Sequence, residues 1–208
     1  MTILTDRIPL ASVLSGDSDI GRGIAERIER GEVFVYPTET IYGVGGRADS
    51  GLVEARIKSI KNRSKQTPFI LIGADIEQFS FLHVDFPENA SRLAKRFWPG
   101  NLTLVLPAEG REHGVAIRIS NHPFITALRK NFPLPIFSTS ANISDRPYVN
   151  DPDEMYETFN GLIDFFVDGG VLPGSKPSTV VRVNLDGAVE ILREGNIPRN
   201  EILQAAKG

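Results

Sequence analysis

Leu102-Thr103-Leu104-Val105-Leu106 and Val115-Ala116-Ile117-Arg118-Ile119 are two short apolar runs joined by only eight residues. Both read as strands, bounded by Pro-Gly on one side and polar stretches between them. Eight residues cannot hold a crossover helix, so the two strands are expected to pair antiparallel. The second run alternates, which sets Arg118 on the face opposite Ile117 and Ile119.

Outward from this pair, helical and strand-like segments alternate. Upstream, residues 19–30 carry Ile20, Ile24 and Ile28 at helical spacing, with Asp17 or Ser18 as cap and Gly31 as stop. A buried-type strand follows at 33–36 and ends at Pro37. Helices are expected at 51–61 and 88–98, with a strand at 69–72 between them. Downstream, helices at 123–131, 151–159 and 198–206 interleave with strands at 135–137, 162–167, 179–183 and 189–193. No repeat or long linker interrupts the series. The economical reading is α/β, one domain over residues 1–208 with a core at about 17–200, built on a mixed parallel and antiparallel sheet flanked by helices.

Composition narrows the function classes. The 208 residues are 41% hydrophobic and 24% charged, enough for a core without staples. Without cysteine there is no disulfide, zinc ribbon or thiol nucleophile, and His83, His113 and His122 lack the spacing of helical metal ligands, so no metal site is expected. No apolar run approaches the ~20 residues of a membrane helix, so no membrane partner and a cytoplasmic location are expected. A net charge of −3 leaves the whole molecule a poor match for nucleic acid, although a local patch can still be basic.

Four stretches carry candidate chemistry. Tyr36-Pro37-Thr38-Glu39-Thr40-Ile41-Tyr42-Gly43-Val44-Gly45-Gly46 leaves a strand and enters a turn rich in hydroxyls and glycine. Its glycines serve either close approach of backbone N–H groups to a ligand or a turn with positive φ. Residues 56–65 hold five cations and no carboxylate, a density that points to an anion partner, although solvated helix faces are the commoner origin of charge runs. Ser138-Thr139-Ser140-Ala141-Asn142 closes a strand with small polar groups that either cap a helix or face a ligand. Pro177-Ser178-Thr179 and Arg193-Glu194-Gly195 are weak signals singly. No Ser–His–Asp pattern stands out, and His113 and His122 read as surface residues.

Taken in order, these stretches resemble the YrdC-like family of threonylcarbamoyl-AMP synthases in its single-domain form. The matching motifs are Pro37 to Gly43, Lys61-x-Arg63 before Pro68, Pro99-Gly100-Asn101-Leu102-Thr103-Leu104, Val115-Ala116-Ile117-Arg118, Ser140-x-Asn142, Asp168-Gly169-Gly170, Pro177-Ser178-Thr179-Val180-Val181 and Ile191 to Gly195. The resemblance implies a twisted α/β domain with a concave, positively charged cavity. It also implies a nucleotidyltransferase reaction in which L-threonine, bicarbonate and ATP, with Mg2+, give threonylcarbamoyl-AMP and pyrophosphate. A separate transferase complex would then modify tRNA. Lys61 and Arg63 would be catalytic; they and Ser140, Asn142 and Arg193 would contact ATP, while Thr38, Thr40, Tyr42, Arg118 and Ser178 would hold threonine or its carbamate. Two chain features depart from the family: Phe69-Ile70-Leu71-Ile72 stands where relatives often carry a histidine, and Ser64 follows Arg63. The alternatives are a paralogue with a changed substrate and a module that binds tRNA or double-stranded RNA.

Overall fold

A computed structural model, describing residues 4–62, 68–144, 146–173 and 176–207, shows the two central runs as one hairpin. Leu104 pairs with Ile117, Val105 with Ala116 and Leu106 with Val115, antiparallel. The strands run further than their apolar cores, Leu102–Ala108 and Arg111–Ile119, because only Glu109 and Gly110 turn the chain. Pro107 sits where the register shifts, and Gly114 is required where it lies: at φ 69°, an added Cβ would stand 2.4 Å from the Leu106 carbonyl oxygen.

In chain order the elements are β1 (Asp6–Pro9), α1 (Leu10–Val13), α2 (Ser18–Glu29), β2 (Phe34–Tyr36), β3 (Gly43–Gly45), α3 (Gly51–Ile60) and β4 (Ile70–Gly73). A 3-10 segment (Ile76–Leu82) precedes α4 (Glu88–Phe97), β5 (Leu102–Ala108), β6 (Arg111–Ile119) and α5 (Pro123–Arg129). Then come β7 (Ile136–Ser140), α6 (Pro152–Phe159), β8 (Phe165–Asp168), β9 (Thr179–Val183), β10 (Val189–Arg193) and α7 (Arg199–Lys207). Helix starts follow their caps: Asp17 accepts from Asp19 N, Ser50 from Val53 N, and Asp151 from both Asp153 N and Glu154 N.

The strands form one mixed sheet in the order β1-β8-β2-β3-β7-β4-β6-β5-β9-β10. Pairings β1–β8, β8–β2, β4–β6 and β5–β9 are parallel and the rest antiparallel. Strand alternation sorts the core onto two faces. Phe34, Tyr36, Phe165, Val167, Ile72 and Ile136 meet Ile24 and Ile28 of α2 and Phe124 and Leu128 of α5. Val35, Phe166, Leu71, Phe137, Ile117 and Val181 meet residues of α3, α4, α6 and α7.

The first of these faces is only partly covered. Ile72 lies opposite Ile136 beneath α2 and α5, yet Ile70 and Ser138, paired two residues along, line open space. Val105, Ala116, Arg118 and Val180 share that exposed face. The sheet thus makes a floor on which a ligand can rest.

Candidate active site

On that floor the chain encloses a cavity of ≈ 870 Å³. Apolar Val105, Ala116 and Val180 form its base, and polar loops at strand ends form its rim. Eight of the ten expected site residues line it: Thr38, Thr40, Lys61, Arg118, Ser140, Asn142, Ser178 and Arg193. Arg63 lies outside the described residues. Among the described lining residues are four cations, Lys61, Arg118, Arg182 and Arg193, and no aspartate or glutamate.

Lys61 follows the last turn of α3 and is only 3% exposed. Its ammonium donates to the carbonyls of Ser140 and Asn142, the latter at 2.7 Å, while its own carbonyl accepts from Ser144 N at 2.9 Å. Ser140 Oγ donates to Asn142 Oδ1 at 2.5 Å, and Asn142 Nδ2 donates to the carbonyls of Ile143 and Arg146. Lys61, Ser140 and Asn142 therefore form one knot joining α3 to the loop after β7. The carbonyls of Ser140 and Asn142 thus hold the ammonium in place at the cavity wall.

Arg118 is 5% exposed and held on three sides. Its Nε donates to Gly100 O at 3.0 Å and NH1 to Thr40 Oγ1 at 2.9 Å, while NH2 lies 3.1 Å from Glu39 Oε1. Thr38 Oγ1 must donate to the Ile41 carbonyl, 2.7 Å away, so the 2.9 Å contact between the two threonine hydroxyls runs from Thr40 to Thr38. Both hydroxyl hydrogens are spent within the protein and Thr38 Oγ1 also accepts from Thr40 N, so what the pair can still offer is one acceptor lone pair on Thr40 Oγ1.

Ser178 Oγ meets Thr103 Oγ1 at 2.8 Å, and Arg193 donates to Ser178 O through NH2 (2.9 Å) and Nε (3.2 Å). Arg193, expected with ATP, and Ser178, expected with threonine, thus form one edge. Burial and then the nearby Arg118 charge lower the Arg193 pKa from its usual value, so the two guanidiniums feel one another. Gly195 lets this edge close: a Cβ there would lie 2.2 Å from Pro177 O and 2.6 Å from Ser178 C.

Several expectations change. Tyr42 was expected to hold threonine, but its side chain is fully buried, stacked near Phe166 on the opposite face. Its hydroxyl accepts from Gly169 N and donates to Gly170 O, both at 2.8 Å, and burial pushes its pKa up to about 12. Of its neighbouring glycines, neither Gly45 nor Gly46 has positive φ. They are small for packing: a Cβ at Gly45 would meet Phe137 O at 2.4 Å, and one at Gly46 would meet Val53 Cγ1 at 2.5 Å. Gly43 alone of the three lines the cavity.

The cation run also reads differently in three dimensions. Lys58 pairs with Glu54 at 2.6 Å, one turn upstream, and Arg56 with Asp164 at 2.5 Å, far along the chain. A window starting at residue 56 sees neither carboxylate. His122 is half-buried rather than a surface residue; its Nδ1 caps α5 by accepting from Phe124 N, and burial lowers its pKa. Glu39, which gave no signal of its own in the sequence, accepts from Ser120 Oγ at 2.7 Å while facing Arg118. No cluster of three or more His, Cys, Asp or Glu able to hold a metal occurs among the described residues, and no described helix is long and apolar enough to cross a membrane.

The Sua5/YciO/YrdC family model, described as telomere recombination, matches residues 26–195. The chain belongs to this family. The curated threonylcarbamoyl-AMP synthases of Pyrococcus abyssi and Bacillus subtilis are each 37% identical to it, over 84% and 86% of its length. The chain spans about half the length, 54%, of each of these Sua5/YciO/YrdC relatives. The solved structure of P. abyssi Sua5 complexed with L-threonine superposes with a TM-score of 0.82 at 33% identity, covering 99% of this chain and 61% of that one.

Proposed function

We propose that this chain is a threonylcarbamoyl-AMP synthase, an ATP-using nucleotidyltransferase. The observation that carries the reading is the cavity lining, where Lys61, Arg118 and Arg193 gather with hydroxyl and amide groups and no described carboxylate intrudes. The likeness to threonylcarbamoyl-AMP synthases and to a Sua5 solved with L-threonine supports this choice of reactants.

Two anions must meet for this reaction. The amine of threonine takes up bicarbonate carbon, loses a proton and releases water, which leaves a carbamate. A carbamate oxygen then attacks the α-phosphorus of ATP, the bond to the bridging oxygen breaks, and pyrophosphate departs. Fixed cations lower the repulsion between carbamate and triphosphate, and holding both on one floor makes the attack effectively intramolecular. Lys61, together with Arg63, serves the phosphates as a point charge beside a planar fork, with Ser140 and Asn142 shaping the loop around them. Arg118 faces the amino-acid end, walled by Thr38 and Thr40, and the Arg193–Ser178 edge bridges the two ends. Tyr42 acts from behind the wall. No step requires a strong base once the carbamate has formed.

The described lining holds no aspartate or glutamate, and Mg2+ enters together with ATP, held by its phosphate oxygens. The product is reactive and passes to a tRNA-modifying transferase complex, in the cytoplasm, where ATP and tRNA reside. Residues at about 17–200 act as one YrdC-like domain in this scheme.

The test is pyrophosphate release from ATP with L-threonine and bicarbonate present together, singly or absent. Release that needs both supports the synthase. Release with neither, or salt-sensitive binding of double-stranded RNA without any release, contradicts it.

A further inference from the structure

Glu39 stands between the two threonines of the cavity wall, yet its carboxylate points to a different task. Oε2 accepts from Ser120 Oγ at 2.7 Å, and Ser120 Oγ in turn accepts from His122 N at 3.1 Å. Oε1 lies 3.1 Å from Arg118 NH2. Both of these atoms are enclosed and neither has an aligned hydrogen-bond partner, so charge attraction alone links them. Arg118 is then fixed at all three nitrogens, by Glu39, by Thr40 and by the Gly100 carbonyl. The Thr40 contact continues through Thr38 to the Ile41 carbonyl.

We propose that Glu39 is a positioning residue: by holding Arg118 across the floor it sets the guanidinium plane and, through Thr40 and Thr38, the shape of the amino-acid end of the cavity. The reading rests on the synthase function proposed above. The contacts of Glu39 run to Ser120 and Arg118, whereas the Lys61 ammonium bonds the carbonyls of Ser140 and Asn142, so Glu39 acts first on the amino-acid end. A buried cation robbed of its carboxylate is strongly disturbed, far more than an exposed pair would be. Ser120 serves the same purpose one step further out, by fixing the carboxylate.

The experiment compares wild type with Glu39→Gln, which keeps the size of the side chain and removes its charge. Calorimetric affinities for L-threonine and for MgATP are measured separately, alongside water exchange of the Arg118 Nε–H signal by NMR. Threonine affinity should fall by at least about tenfold more than ATP affinity, and the Nε–H should exchange at least about tenfold faster. A smaller differential, or equal losses for both ligands, overturns the proposal. If Glu39→Gln does not fold, Ser120→Ala is read the same way, with about a threefold differential as the dividing line. If wild type binds no threonine, the synthase reading fails by itself, and the Nε–H exchange decides the role of Glu39: unchanged exchange overturns it.

Discussion

Arg118 shows what a residue name does and does not predict. Its strand parity was legible from Ile117 and Ile119 on either side, but its three partners come from residues 39, 40 and 100 and could not be read locally. A lysine there keeps the charge and loses the fork, so Arg118→Lys should cut turnover about a hundredfold, roughly 3 kcal/mol, with the fold retained. Steady-state rates beside a circular dichroism melt check this. Lys61 is different in kind: Lys61→Ala strands the carbonyls of Ser140 and Asn142, so it should lower stability by about 1–3 kcal/mol besides lowering turnover. His122 supplies a pH signature. Its folded pKa is depressed by burial, so unfolded chains take up the proton first as pH falls. Stability is therefore fully present above about pH 6.5 and declines below it. His122→Asn keeps a capping side chain, and urea titrations should show a flatter acid limb than wild type.

At the scale of elements, the hairpin β5–β6, the capped helices α2, α3 and α6 and the two C-terminal strands β9 and β10 were legible from periodicity, spacing and caps. β1, β3, α1 and the 3-10 segment were not, for physical reasons. β1 (Asp-Arg-Ile-Pro) has no alternation, and its place beside β8 is a long-range contact. β3 is three residues, two of them glycine, and reads as a turn because glycine disfavours strands in isolation. It forms because those glycines fit between the Tyr36 ring and β7, Gly43 against Ser138 Oγ and Gly45 against the Phe137 carbonyl. The same logic rules the β10 exit, where the motif Arg193-Glu194-Gly195 looked weak alone. Gly195→Ala forces a backbone contact apart, so the Ser178–Arg193 edge should open and stability should fall by about 1–3 kcal/mol, read as a lower urea midpoint at unchanged slope.

For the whole molecule, the deciding feature is a sheet whose one face is roofed by α2 and α5 over part of its width and open over the rest. Strands that read as buried along the sequence gave no hint of where the roof stops, since that is set by helix packing and not by strand composition. The motifs scattered from residue 38 to 193 converge only because this open half places loops at successive strand ends around one floor. Mass spectrometry of the product formed by the purified chain from ATP, L-threonine and bicarbonate tests this directly. The mass of threonylcarbamoyl-AMP, matched mole for mole by pyrophosphate and formed about a hundredfold more slowly by Arg118→Lys, is the predicted result. Wild-type protein that binds both substrates yet yields only unreacted ATP, or ADP and phosphate, would contradict it.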